Sequence, residues 1–191
     1  MPGTAVGVDP LIDRVDTLIG AGYVGKEKAT GVAAEVPEAG TRILGRLRGM
    51  ADSGDWHRFE RFAALAVHLH PDGLAGILLS ALGSDAKDAR GVQVEDLVDM
   101  LGELRAPEAV GPLGRLLHDR WESDAPFFSL CTKIIRSLAE IGTPEAHAVL
   151  RDVATGDRPE PLKWHAAEEL GIEEELGFDE DEMLGGTAPA S

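Results

Sequence analysis

The sequence predicts an all-α protein, a right-handed α-solenoid of about four helix pairs with N- and C-terminal capping helices. A motif of Pro, an acidic residue and then Ala or Gly recurs at spacings of 34, 36 and 37 residues. Apolar residues follow each copy at intervals of three and four, as in amphipathic helices, and no alternating strand pattern stands out. The four copies begin at Pro37, Pro71, Pro107 and Pro144.

Each motif is predicted to begin the second helix of a pair. Proline at the first position of a helix lacks only an N–H that would have no partner there, and its φ is already helical. The acidic residue beside it lies at the positive end of the helix dipole. Thr143 adds an N-cap before the last copy. Residues 101–117 and 138–153 align without a gap when shifted by 37 positions, which supports a common unit.

The motifs and the apolar periodicity fix the order of the elements. Three segments follow: 1–24 with a capping helix, 25–171 as the repeat domain, and 172–191 as an acidic stretch with a disordered tail. Polar linkers are expected at 51–55, 84–88, 122–124 and 155–157. The predicted pairs are 25–35 with 37–48, 56–69 with 71–82, 94–104 with 107–119, and 127–141 with 144–154; the single helices are 10–19 and 161–171.

Composition indicates a globular chain with a continuous core. Hydrophobic residues make up 43% of the 191 positions, and aromatic residues only 5%, so small aliphatic side chains fill the interior. The single cysteine, Cys131, excludes an intramolecular disulfide. No targeting segment is recognised, and the longest uncharged stretch, 73–84, is too short to span a bilayer. We therefore expect a cytoplasmic protein without a membrane partner, and the Ala, Gly, Val and Arg bias is typical of a GC-rich bacterium.

The net charge of −16 argues against nucleic-acid binding, which requires Lys and Arg to neutralise phosphates. Residues 168–182 contain nine acidic side chains and no basic one. Two interpretations remain open for this stretch, which includes Glu173, Glu174 and Glu175. It is either a solvated capping end or a docking site for a basic partner.

The repeated pattern resembles HEAT-like repeats of the bilin-lyase type. It consists of Leu-Gly or Leu-Ala-Glu, a hydrophobic residue, a short turn, Pro-Glu-Ala and apolar residues at helical spacing, as in 101–117, 138–153 and 162–171. The resemblance covers about residues 25 to 171. In the first two copies Val36 and His70 replace the usual polar turn residue. It implies an α-solenoid that presents a surface to a partner.

Enzymatic readings of that resemblance find no support in the residues. Di-iron hydroxylases built from such repeats carry His-Glu pairs as ligands, and this chain has no His-Glu dipeptide. DNA glycosylases of a similar fold need a basic concave face. No phosphate-binding loop, nucleophile elbow or zinc motif occurs, and Cys131 lies at an apolar helical position where a buried, inert thiol is expected. We predict a non-enzyme without a metal or cofactor.

Residues for partner recognition follow from the same resemblance, because the second helices of such solenoids generally line the concave face. Trp56, Trp121 and Trp164 are possible interface anchors, although Trp56 and Trp164 can equally pack between first helices. The uncharged helix 74–82 is read as the central buried helix, and the alternative is an apolar groove floor with basic flanks. The non-apolar positions of the other second helices are Arg42, Arg46, Arg115, His118, His147 and Arg151.

These observations predict a non-catalytic scaffold or adaptor that binds another protein. One alternative is an immunity-type inhibitor that covers a basic partner, such as a bacterial toxin, since an acidic surface suits that task. A second alternative is a lyase-like or accessory protein of a tetrapyrrole or similar pathway, which rests on fold analogy alone.

Overall fold

A computed structural model of the chain describes residues 10–83 and 93–178. These residues form α-helices and turns, and no strand occurs among them, as the sequence predicts. The chain divides into two compact units, Met1–Gln93 and Val94–Ser191. The division falls between the second and third predicted helix pairs. The predicted linker 84–88 and tail 185–191 lie outside the described residues.

The first unit packs two pairs of helices and an additional N-terminal helix. The helices are α1 Pro10–Ile19, α2 Lys26–Glu35, α3 Ala39–Ser53, α4 Trp56–Leu69 and α5 Leu74–Leu82. Helix α2 packs on α4 and α3 packs on α5, while α1 covers α2 and α3. The bounds predicted for α1 and α4 are confirmed.

Two arginines of α4 bind α1. Arg58 contacts Asp16 at 2.8 Å and Asp13 at 3.8 Å, and Arg61 contacts Asp16 at 3.3 Å. Arg61 also donates a hydrogen bond to the carbonyl oxygen of Gly20 at the end of α1. Guanidinium groups suit such shared sites, since their fixed N–H groups reach a carboxylate and a helix C-terminus together.

The second unit arranges its helices in two layers. The helices are α6 Val94–Glu103, α7 Val110–Arg120, α8 Ser129–Ile141, α9 Pro144–Thr155 and α10 Glu160–Leu170, with a 3-10 turn at Pro107–Ala109. Helices α6, α8 and α10 lie side by side in one layer, and α7 and α9 contact each other in the other. Helix α7 also packs on α8, and α9 packs on both α8 and α10.

Helices α6 and α8 approach closely at Gly102. A Cβ added to this buried glycine would lie 2.7 Å from Glu140 Oε2, 2.8 Å from Ser137 Oγ and 2.9 Å from Ser137 Cα. Ser137 is buried, and its hydroxyl donates to the carbonyl oxygen of Val98 at 3.0 Å. The absence of a side chain at Gly102 therefore permits the contact that joins the first two helices of this layer.

Only one of the four Pro motifs begins an α-helix at its proline, so three predicted boundaries are wrong. Thr143 accepts a hydrogen bond from the Ala146 amide at 3.2 Å and caps α9 directly before Pro144. The helices after the first and second motifs begin later, at Ala39 and Leu74, and the third motif forms the 3-10 turn. The helices that follow these three motifs have no side-chain cap at their N-terminal ends. In each case the motif forms a turn before the α-helix begins.

Two helix ends also differ from the prediction. Helix α3 continues through Ser53 into the predicted linker and ends at Gly54, whose φ of 71° is left-handed. Helix α4 ends at Leu69 as predicted, and His70 forms its C-cap with a left-handed φ of 47° and an N–H that donates to the Ala66 carbonyl at 3.0 Å. Helix α8 begins at Ser129, so the predicted start at Phe127 is two residues too early.

The repeat alignment predicts that Leu113 and Leu150 are equivalent core residues, and both are fully buried. Replacing either one by Ala should lower the free energy of unfolding by about 2–5 kcal/mol, because each change leaves a cavity in the second unit. Urea denaturation monitored by circular dichroism measures this loss. Leu176→Ala is the control, since Leu176 is 39% exposed and should lose much less. Indifference to both core changes would contradict the alignment.

Gly102→Ala should destabilise the protein by about 1–3 kcal/mol, because the new methyl group overlaps Ser137 and Glu140. Gly111→Ala on α7 is the matched control. Its Cβ would meet only the mobile end of Arg115 at 3.5 Å, so it should be neutral or stabilising. Thermal unfolding of both variants decides the point, and equal behaviour would show that α6 and α8 can separate at no cost.

Candidate protein-interaction surface

The basic residues predicted for recognition lie on second helices, as expected, but those of the second unit do not form one stripe. Gly114 of α7 faces Val149 of α9, since a Cβ there would lie 3.5 Å from Val149 Cγ1. His147 and Arg151 each lie two positions from Val149, which is about 200° of helical rotation. They therefore point away from α7. In the first unit, Arg42 is exposed and Arg46 is half-buried on α3.

Two of the predicted residues, His118 and Trp121, meet at a third that the sequence analysis missed. Arg158, in the connection between α9 and α10, lies with Nη2 3.1 Å from His118 Nδ1. Its guanidinium carbon is 5.8 Å from the centre of the Trp121 ring, a cation–π distance. The signal available in the sequence is that Arg158 follows Trp121 by 37 residues, one repeat. Arg115 is exposed on α7 outside this group.

The most exposed aromatic side chain of the second unit is Phe127, at 88%. The turn that presents it is fixed by Asp124, whose N–H donates to the Arg120 carbonyl at 2.9 Å and whose carbonyl accepts from the Phe128 N–H at 2.9 Å. The Asp124 carboxylate also accepts from the Cys131 N–H at 2.8 Å. Phe127 was not predicted to be exposed, because the sequence was expected to form a helix that begins at this residue. A large apolar side chain held outward in this way is a candidate anchor.

The other two tryptophans are buried. Trp56 is 4% exposed and packs edge to face on Phe59, with ring centres 5.4 Å apart. Trp164 is 9% exposed, and its ring centre lies 4.8 Å from that of His165. Both occupy first helices, α4 and α10, which is the packing role that the sequence analysis kept open. Neither ring is a projecting anchor, whereas Trp121 is only half-buried.

Helix α5 has the buried character that the sequence favoured. Leu74, Ile77, Leu78, Ala81 and Leu82 are buried, so most of its apolar surface packs inside the first unit. The exposed residues of α5, Gly76 and Ser80, have small side chains or none.

Charge is divided unevenly between the two layers of the second unit. Helices α6, α8 and α10 together carry eight acidic and three basic side chains, whereas α7 and α9 carry three of each. Along α6, Glu95, Asp99 and Glu103 recur every four residues and share one face. Lys133 of α8 lies 2.7 Å from Asp99 and 3.4 Å from Glu95. One lysine thus serves two carboxylates, and the layer keeps an excess of negative charge.

A groove of about 520 Å³ opens between α6 and α8 beside this lysine. Its floor is the close contact at Gly102, and its walls carry three carboxylates and two guanidinium groups. The lining residues are Asp99, Gly102, Glu103, Arg105, Arg136, Ser137 and Glu140.

Two carboxyl groups of this layer have a raised pKa. Although Glu140 is an exposed residue, partial burial of its carboxyl group raises its pKa, and the nearby charges of Asp99 and Glu103 raise it further. Burial also raises the pKa of Glu169 on α10, with added repulsion from Glu168 and Glu140. Arg105 and Arg136 oppose these effects without cancelling them. The layer therefore holds negative charge that the folded chain compensates only in part.

The predicted acidic residues after α10 lie in a series of turns. Ile172 donates to the Ala167 carbonyl at 3.0 Å, and Phe178 donates to that of Glu173 at 3.0 Å. Glu174 and Glu175 are exposed, while Glu173 is half-buried with Oε2 shielded from solvent and without a hydrogen-bond donor among the described residues. Both interpretations of this stretch remain open, since its continuation, 179–191, is not described.

The described parts of the chain assemble no cluster of metal-ligating side chains, and the cysteine is buried. Cys131 is fully buried, and burial together with the Asp124 carboxylate raises the pKa of its thiol to about 12. A thiol in this state is a poor nucleophile, so the expectation of a buried Cys131 is confirmed. No group of three potential metal-ligating side chains occurs within 10–83 and 93–178. Within the same residues, no helix has the length and apolar character needed to cross a membrane.

Comparisons with protein-family models, curated proteins and solved structures found no match to this chain.

The raised pKa of Glu140 predicts the pH dependence of its replacement. A carboxyl whose pKa is higher in the folded state stabilises the fold when protonated, and that contribution is lost as pH rises through the folded-state pKa. Glu140→Gln should therefore raise the unfolding temperature at about pH 7 and have little effect at about pH 3, where both forms are neutral. Exposure to solvent keeps the gain small.

Thermal melts of Glu140→Gln across this pH range, at low and high salt, provide the measurement. The gain should shrink at high salt, because the repulsion from Asp99 and Glu103 is screened. Glu145→Gln on the exposed face of α9 is the control. A stability loss at neutral pH would contradict the assigned crowding.

Proposed function

We propose that this chain is a non-catalytic protein-interaction module, a scaffold or adaptor of the HEAT-repeat type, that binds a basic partner through α6, α8 and α10. The observation that carries the proposal is the uneven charge of the two layers: eight acidic and three basic side chains on one, three and three on the other. The layered packing of helix pairs within each unit supports the proposed right-handed solenoid of about four pairs.

Partly compensated carboxylates explain why a basic partner would bind there. Burial, and then repulsion from neighbouring carboxylates, raises the pKa values of Glu140 and Glu169, and a guanidinium or ammonium group placed near them would offset that repulsion. The fold supplies only Lys133, Arg136 and Lys163 on these three helices. Long-range attraction from the same carboxylates would also speed the encounter with a basic surface.

The choice of layer changes the residues expected to act in binding. In the second unit, the sequence predicts recognition on second helices, through Arg115, His118, His147 and Arg151. The three arginines of α7 and α9, which include Arg120, are balanced by Asp119, Glu145 and Asp152, so these two helices carry no net charge. A basic partner attracted by charge would bind the acidic layer of α6, α8 and α10. Helices α7 and α9 would contribute apolar or specific contacts.

The immunity-type inhibitor is a second candidate that the same charge favours. An inhibitor must cover a basic active site tightly, so it would bind one partner with an affinity that falls steeply as salt increases. An adaptor would bind several partners or bind more weakly. Identification of one stoichiometric basic partner distinguishes these two roles without changing the proposed surface.

The test is affinity capture by the immobilised full chain from a native lysate at low and high salt, followed by mass spectrometry and a binding titration with the purified protein recovered. The double change Glu140→Gln and Glu169→Gln should weaken binding of that protein by roughly tenfold at low salt, because two carboxylates are neutralised. Stability should not fall, since both groups have raised pKa values.

The matched control neutralises two exposed carboxylates of the other layer, Glu145→Gln and Asp152→Asn. It should bind as the unmodified chain does. If both double variants lose the same affinity for the partner, binding depends on net charge alone and not on the proposed surface. A salt-resistant partner unaffected by either would contradict the proposed surface.

A further inference from the structure

The first unit contains a groove that is separate from the acidic layer. It has a volume of about 500 Å³ and lies among the end of α3, the beginning of α4 and the exposed side of α5. Arg48 and Asp52 line it from α3, Trp56 from α4, and Gly73, Gly76 and Ser80 from the α5 side.

Trp56 provides a hydrogen-bond donor that the described residues leave without an acceptor. The side chain is 4% exposed, and its Nε1 is shielded from solvent with no hydrogen-bond partner. Buried indole N–H groups usually find a partner, because an unpaired buried donor is costly. Arg58 and Arg61 also have an Nε without an acceptor, but their other nitrogens bind carboxylates. Trp56 has a single donor and therefore no such alternative.

The α5 side of the groove exposes main chain at two glycines, Gly73 and Gly76. A Cβ added at Gly73 or at Gly76 would meet no atom within 4 Å, so the space above both glycines is open. The Ser80 hydroxyl donates to the Gly76 carbonyl at 2.9 Å and is held against the helix. Small residues in this arrangement allow another polypeptide backbone to approach closely.

The opposite wall carries one charge of each sign. Arg48 and Asp52 are exposed and lie one helical turn apart on α3. Neither side chain forms an ion pair or a hydrogen bond with another described residue. This wall is therefore complementary to a molecule that presents an acidic and a basic group along its length.

We propose that this groove binds an extended segment of a partner polypeptide, which gives a main-chain carbonyl to the Trp56 N–H and pairs charged side chains with Arg48 and Asp52. An extended segment is favoured over a helix because the carbonyls of a helix already bind their own N–H groups. From Gly73 to Ser80 the α5 side is roughly 10 Å long, a span that three or four extended residues cover.

The open form of the groove favours a chain over a small molecule. Arg48, Asp52, Gly73, Gly76 and Ser80 are all exposed, whereas small-molecule sites enclose most of their ligand. Because Nε1 is shielded in the free chain, the proposed hydrogen bond requires the indole or the facing wall to shift on binding, and the Trp56 N–H therefore reports directly on occupation. This site shares no residue with the acidic layer, and variants of the two units separate failure of this proposal from failure of the proposed function.

The test uses a phage-displayed library of short randomised peptides, selected on the full chain and counter-selected on Gly76→Leu. The leucine side chain projects into the groove where a Cβ meets nothing, and replacing a helical glycine favours the helix. Gly76→Leu should therefore keep or raise the unfolding temperature. Gly45→Leu, at an exposed glycine of α3 with open space and outside the groove, is the matched control.

We expect selected peptides to carry one acidic and one basic residue, to bind the Gly45→Leu control as they bind the original chain, and to lose at least about tenfold in affinity for Gly76→Leu. Addition of peptide should shift the indole N–H resonance of Trp56 in ¹⁵N-labelled protein, assigned by its absence in Trp56→Phe. Trp56→Phe should weaken binding by roughly five- to tenfold through loss of one hydrogen bond.

Three outcomes would overturn the proposal. The library yields no peptide that distinguishes Gly76→Leu from Gly45→Leu, the Trp56 indole resonance does not respond to bound peptide, or the peptide gains helical circular dichroism in the complex.

Discussion

The contact between α6 and α8 at Gly102 determines both the packing and the charge of the second unit. Because position 102 has no side chain, Ser137 comes close enough to donate to the Val98 carbonyl, and Glu140 lies directly above the glycine. Glu140 then enters the field of Asp99 and Glu103 on α6. The packing that buries apolar residues such as Leu97, Leu101 and Leu138 therefore also crowds carboxylates at the surface of the same two helices.

Helical periodicity explains why this crowding affects one layer and not the other. On α6, acidic residues at four-residue spacing form a single row. The neighbouring helix α8 carries only two basic side chains to compensate this charge. On α9, the contact of Val149 with Gly114 turns His147 and Arg151 to the side away from α7. Basic and acidic side chains are thus mixed across α7 and α9. One unit therefore presents two surfaces of different electrical character, although its helix pairs follow one sequence pattern.

Sequence periodicity predicted the all-helical class, the bounds of α1 and α4, the capping of α9 by Thr143 and the burial of Cys131. It could not predict where the other Pro motifs become helical, because the N-cap residues Glu38, Gly73 and Ala106 supply no side-chain cap. Phe127 was assigned to a helix, since the turn that exposes it depends on the Asp124 side chain reaching the Cys131 amide. The contact of Gly102 with Ser137 joins residues 35 positions apart. The raised pKa values exist only after such contacts form.

The two candidate surfaces share a physical property: at each, the fold leaves a polar group incompletely compensated. Burial and neighbouring carboxylates raise the pKa of Glu140, and Trp56 buries a donor that finds no acceptor among the described residues. A neutral amide at position 140, or a phenyl ring at position 56, would remove the uncompensated group without removing much packing volume. Natural folds usually satisfy such groups internally. A partner can satisfy polar groups that remain unsatisfied beside an open groove. The hydrogen bond or ion pair that forms then contributes its free energy to binding, since it is not made in the folded chain alone. The second unit is therefore suited to bind a cationic group, and the first unit a hydrogen-bond acceptor.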